Sequence, residues 1–121
     1  MKINGVEKQF AVYGWSYFMD NDSSGHTLEM QLSSETLTPQ QDTYAITLKM
    51  PYKKVGKNVI ESINYFRVAD MTSYEGNFTQ AELQSKVTVS KNTCISATFS
   101  GSATINGNVV TITDGVIKHV Y

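Results

Sequence analysis

Tyr13, Trp15 and Tyr17 recur at every second position of the stretch from Phe10 to Met19. On an unbroken strand that period puts all three rings on one face. Flat ring faces stack on the C–H faces of sugars, and their polar tips reach hydroxyl groups. The row is therefore a candidate carbohydrate-binding platform. Phe10, Val12 and Phe18 hold the opposite parity, and one of the two faces must belong to the core. The plainer reading places most of these aromatics in that core. Gly14 sits between them as a candidate bulge, which would reverse the parity and turn part of the row inward.

The stretch Asp20-Asn-Asp-Ser-Ser-Gly25 has a second chemical pattern. Asp20, Asp22 and Ser24 put oxygen ligands at the first, third and fifth positions, with glycine at the sixth, as in the first half of a calcium loop. The twelfth position is Gln31, not the bidentate glutamate such a loop needs, and the flanks read as strands rather than helices. A plain polar hairpin loop is the main reading. A weak calcium site at those three residues is the alternative, and no cofactor is expected.

Catalytic patterns are sparse. The histidines, His26 and His119, stand far apart, and Glu29, Glu61, Asp70 and Glu75 are scattered. No HExxH, GxSxG, CxxC or phosphate-binding glycine loop occurs. Cys94 is the single cysteine, which excludes an intrachain disulfide. It reads as a small, partly buried side chain, since a reactive thiol needs a cationic neighbour to lower its pKa and only Lys91 is near in sequence. The chain is expected to be a non-enzyme.

Bulk properties narrow the class. The 121 residues suit one domain, 1–121, with enough length to bury a core. A net charge of −1 gives no reason to expect nucleic acid or an anionic membrane as partner. Lys53, Lys54 and Lys57 read as a solvated loop. No apolar run approaches the roughly 20 residues that span a bilayer. Met1-Lys2 leads at once into Ile3-Asn-Gly-Val6, so no signal peptide is seen, which leaves open a start after a removed export signal.

The elements that must position these residues are strands. Ile95, Ala97, Phe99, Gly101, Ala103 and Ile105 alternate with serines and threonines, a period that no helix could segregate. Asn106-Gly107 and Asp114-Gly115 then read as hairpin turns, giving a three-strand meander that ends in Val116–Tyr121. Asn4-Gly5 is a further hairpin signal. Leu28, Met30 and Leu32 alternate, as do Tyr44, Ile46, Leu48 and Met50 up to Pro51. Thr38-Pro39 suits one helical turn, and Thr79-Gln-Ala-Glu82 has capping-box form. Residues 58–70 carry both helical spacing and strand composition, and are expected to be mostly strand. The sum is an all-β domain of about eight or nine strands, an antiparallel β-sandwich or flattened β-barrel.

Several stretches resemble a mostly uncharacterised family of small exported lipoprotein β-domains from Bacteroidetes. They are Ile3-Asn-Gly-Val6, Thr43-Tyr-Ala-Ile-Thr-Leu48, Lys86-Val-Thr-Val-Ser-Lys91, Ile95-Ser-Ala-Thr-Phe-Ser-Gly101 and Val110-Thr-Ile-Thr-Asp-Gly115. Together they cover about a third of the chain and consist of common β-residues. No lipidation cysteine precedes Ile3. The resemblance implies export to the periplasm or cell surface, with a lipid anchor upstream of this chain compatible with it, and it transfers no catalytic residue. The expected function is a non-enzymatic cell-envelope domain binding a glycan, peptide or protein partner. The alternatives are a small-ligand carrier in a closed, lipocalin-like barrel and an assembly subunit that joins neighbours by strand addition, with Val116–Tyr121 as the candidate edge.

Overall fold

A computed structural model describes residues 1–19, 26–34, 43–69, 71–91 and 93–120, and for Tyr13, Tyr17, Phe18 and Met19 it describes the backbone alone. Two antiparallel sheets make up the fold. One runs in the order β2 (Val6–Glu7), β1 (Lys2–Ile3), β11 (Asn108–Val120), β10 (Cys94–Ile105), β9 (Leu83–Ser90), β6 (Gly56–Lys57). The other runs β3 (Phe10–Met19), β4 (His26–Ser34), β5 (Thr43–Pro51), β7 (Ser62–Ala69), β8 (Thr72–Thr79). Neither sheet closes on itself. The fold is a β-sandwich, and the closed lipocalin-like barrel expected of a small-ligand carrier does not form.

Period-two patterning builds each layer. Tyr44, Ile46, Leu48 and Met50 are buried, while the residues between them are half-buried. Leu28, Met30 and Leu32 line the same inner face, because β4 and β5 pair Leu28 with Met50, Met30 with Leu48 and Leu32 with Ile46. The facing sheet contributes Ile95, Ala97, Phe99, Ala103, Ile105, Val110 and Ile112, and both sets belong to one hydrophobic core. Residues 62–69 form the strand their composition favours, with Val59 and Ile60 buried just ahead of it. Thr79 and Glu82 form the capping box, around a 3-10 turn at Gln80–Glu82. Among the described residues no helix is long and apolar enough to cross a membrane.

The C-terminal meander requires correction. Asn106-Gly107 is a hairpin turn, with φ of 52° and 81° suited to a type I′ loop, and Asn4-Gly5 repeats that geometry. Asp114-Gly115 is not a turn. The chain runs straight through it as one strand, β11. Phe99 pairs with Gly115 and Gly101 with Ile112, so Ser100 faces both Thr113 and Asp114 across a β-bulge. Asp114 takes φ 54° there. Aspartate tolerates the left-handed region in bulges as well as in turns, so the dipeptide alone does not separate the two. The bulge reverses parity: Val110 and Ile112 are buried before it, Ile117 after it.

The same strand has an unusual border. β1 pairs with β11 only at Ile112 and Thr113. Along Val116–Val120, β10 lies on one side and no described strand pairs on the other. At the opposite side of the sandwich the layers are clasped. The Asn106 Oδ1 accepts from the Glu75 backbone N–H at 3.2 Å, and a Cβ on Gly76 would sit 3.0 Å from Ile105.

Candidate functional site

The aromatic stretch of β3 contains the bulge that Gly14 suggests. Val12 pairs with Leu32 and Gly14 with Gln31, leaving Tyr13 as the additional residue. Trp15 then lies opposite Met30, and the Tyr17 backbone opposite Leu28. Directly paired residues share a face, so the bulge brings Trp15 to the parity of the core. A single row of Tyr13, Trp15 and Tyr17 assumes an unbroken strand, and β3 carries a register shift between Val12 and Gly14. Trp15 nevertheless remains 40% exposed, because β3 borders the sheet. The side chains of Tyr13 and Tyr17 lie outside the described atoms.

Asp20, Asp22 and Ser24 lie outside the described residues, as do Thr38 and Pro39. Among the described residues, no three His, Cys, Asp or Glu side chains gather as a metal site would need. His26 and His119 stand on different sheets, on β4 and β11. The His26 ring meets the Tyr52 ring edge-on at 6.4 Å. Cys94 is half-buried, with its sulfur 4.0 Å from the Thr93 hydroxyl.

The structure instead concentrates chemistry at one mouth of the sandwich, where an inner-face row crosses all five strands of one sheet. Phe10 pairs with Ser34, Tyr44 with Arg67, and Arg67 with Tyr74. The Ser34 hydroxyl accepts from the Tyr44 backbone N–H at 2.9 Å and completes the row. Arg67 is the unexpected member. It follows Ile63 and Tyr65 on the inward parity of β7, both of them buried. A charged group on that parity needs compensation. Two aromatic rings stand beside it: the guanidinium carbon lies 5.6 Å from the Tyr44 ring centre and 5.7 Å from that of Tyr74. Such contacts contribute about 0.5–2 kcal/mol each, more as water is excluded.

A second cation converges on the same ring. The ammonium of Lys8 sits 5.5 Å from the Tyr44 centre. Its backbone is held by Met1, whose carbonyl accepts from the Lys8 N–H at 2.9 Å. Tyr44 is thus clustered with Phe10 at 6.3 Å and Tyr65 at 6.1 Å, with cations above it. The cleft in front of these groups holds about 560 Å³, and Ile3, Ile105, Asn108 and Val110 form its opposite wall. Among the described residues, its lining contains apolar, tyrosine, amide and cationic side chains and no carboxylate. That volume lies in the usual range of small-ligand sites.

A wider trough of about 780 Å³ lies by β9, β10 and the bulge, and it mixes charges, with Lys57 and Lys86 beside Asp114. It has no comparable convergence of one kind of group. Sequence reasoning passed over Tyr44, Arg67, Tyr74 and Lys8 as site residues. The available signal was Arg67 on the alternating parity of Ile63 and Tyr65. The chain matches no family model, and neither the curated proteins nor the solved structures contain a significant match to it.

Proposed function

We propose that this chain is a non-enzymatic, exported β-sandwich that acts at the cell envelope by binding a carbohydrate in the mouth between its sheets. The observation that carries the reading is the Tyr44–Arg67–Tyr74 row with Lys8 over the Tyr44 ring, opening on a ligand-sized cleft. Tyrosine, asparagine and arginine side chains offer donors, acceptors and a ring face together, the combination that polyhydroxyl ligands require. Export and envelope location rest on the resemblance of the Ile95–Gly101 and Val110–Gly115 stretches to exported lipoprotein domains. The fold itself adds nothing to the choice of ligand.

The test is a glycan and peptide screen on the purified domain, repeated with Tyr74→Ala. The reading expects glycan hits that weaken about tenfold or more in the variant, a loss of roughly 1.4 kcal/mol. Hits that survive Tyr74→Ala but vanish with Trp15→Ala would move the site to β3. Peptide hits alone would replace the ligand class.

Strand addition is the second reading, favoured by one observation: along Val116–Val120, no described strand pairs with β11 on the side away from β10. An extended segment of a partner protein could continue the sheet there.

A further inference from the structure

The trough of about 780 Å³ crosses the outer face of the six-stranded sheet, and its described lining shares no residue with the mouth. We propose that it binds an oligosaccharide carrying a tetrahedral oxyanion, a sulfate or phosphate ester, and that Lys57 and Lys86 hold that group between them. Three observations converge on this ligand.

First, Lys57 on β6 is the direct cross-strand partner of Lys86 on β9. Directly paired residues share a face with Cβ atoms about 5 Å apart, and like charges so placed repel. Both lysines are exposed, and among the described residues neither has an ion pair. An anion between the two ammonium groups turns that repulsion into attraction. Second, the backbone builds this pair although β6 is only two residues long. The Asn58 N–H donates to the Ser85 carbonyl at 2.8 Å, and the Asn58 carbonyl accepts from the Gln80 side-chain amide at 2.7 Å. The Ile60 N–H donates to the Ser85 hydroxyl at 3.3 Å. Lys57 is thus held at its place beside Lys86 before any ligand arrives, which lowers the cost of ordering the site.

Third, the rest of the trough suits a sugar chain. Lys86 pairs onward with Thr98, and Gln84 pairs with Ser100, so hydroxyl and amide groups line the floor. Both kinds of group donate and accept, as sugar hydroxyls do. Asp114 brings a carboxylate to the described lining, but Lys2 answers it at 3.5 Å. The cations at the other end are ammonium groups, compact point charges with three donors each. A carboxylate is matched best by the planar fork of a guanidinium. Two ammonium groups on neighbouring strands can instead divide the oxygens of a sulfate or phosphate between them. The volume admits more than one sugar residue.

The experiment titrates the protein calorimetrically with dextran oligomers of one length in three forms: uncharged, sulfated and phosphorylated. An esterified form is expected to bind at least about tenfold more tightly than the uncharged one, and the better of the two identifies the ester. Lys57→Gln and Lys86→Gln should each cut that preference about tenfold, and added salt should weaken it. Both side chains are exposed, and without ligand the melting temperatures of these variants should equal or exceed that of the unaltered protein, since the cross-strand repulsion is gone. Lys53→Gln and Lys54→Gln, outside the trough, should bind the esterified oligomers as the unaltered protein does. Losses there as large as in Lys57→Gln would reduce the effect to a general attraction of polyanions to a lysine-rich segment and overturn the proposal. Equal binding of charged and uncharged oligomers, or binding of none, overturns it too. Loss in Lys8→Gln with full binding in both trough variants overturns it in favour of the mouth.

Discussion

The Phe99 ring occupies the space that a Cβ on Gly115 would need. Three ring carbons lie 2.5–2.7 Å from that position, across the pair that β10 and β11 form there. Phe99 is only 3% exposed, so the ring is enclosed by the core and covers the glycine. The glycine at this bulge is required by packing.

Gly115→Ala is therefore expected to destabilise the domain by about 1–3 kcal/mol, the usual cost of overpacking a filled core. Asp114→Gly keeps the left-handed backbone and loses only the exposed contact of Asp114 with Lys2 at 3.5 Å. Its effect should stay within about 1 kcal/mol. Urea unfolding of the two variants separates the cases. A dispensable Gly115 and an indispensable Asp114 would argue for a turn rather than a bulge.

The capping box at Thr79 links stability to pH. The Thr79 backbone N–H and then its hydroxyl, each 2.9 Å from the same Glu82 oxygen, hold the Glu82 carboxyl below its ordinary value. A carboxyl with a depressed pKa in the folded state stabilises above its unfolded pKa. That contribution is lost as the pH falls through the folded value. Glu82→Gln should lower the melting temperature at neutral pH, and the gap to the unaltered protein should close on acidification. A gap that widens in acid would contradict the assignment.

Lys118 lies between Val116 and Val120 on the outer face of β11, and those valines are 57% and 77% exposed. Lysine on a border strand disfavours sheet-to-sheet association, because desolvating it is costly. Lys118→Val would leave three exposed valines in alternation on the segment of β11 that pairs with β10 alone among the described strands. Sedimentation should then show concentration-dependent association stronger than that of the unaltered protein. Equal behaviour would show that this flank is not a pairing surface.

The strands were legible because alternation is local. Leu28 to Leu32, Tyr44 to Met50 and Ile95 to Ile105 each declare an inner face within one segment. The bulge at Gly14 was also legible, since a glycine inside a strand pattern marks a bulge or a close approach of backbones. Asp114-Gly115 was not, because a bulge and a type I′ turn demand the same backbone permission. The mouth was least legible of all. Phe10, Tyr44, Arg67 and Tyr74 meet only through the order β3-β4-β5-β7-β8. Lys8 arrives from a different sheet's flank. Nothing in one segment reports that pairing, although an arginine on the parity of Ile63 and Tyr65 marks where to look.

Chemical-shift mapping with the glycan that the screen returns tests the central claim most directly. The account predicts that the perturbed amides and side chains cluster at Lys8, Tyr44, Arg67, Tyr74 and Asn108. Perturbations centred on Trp15 and the rest of β3, or no perturbation at all, would contradict it.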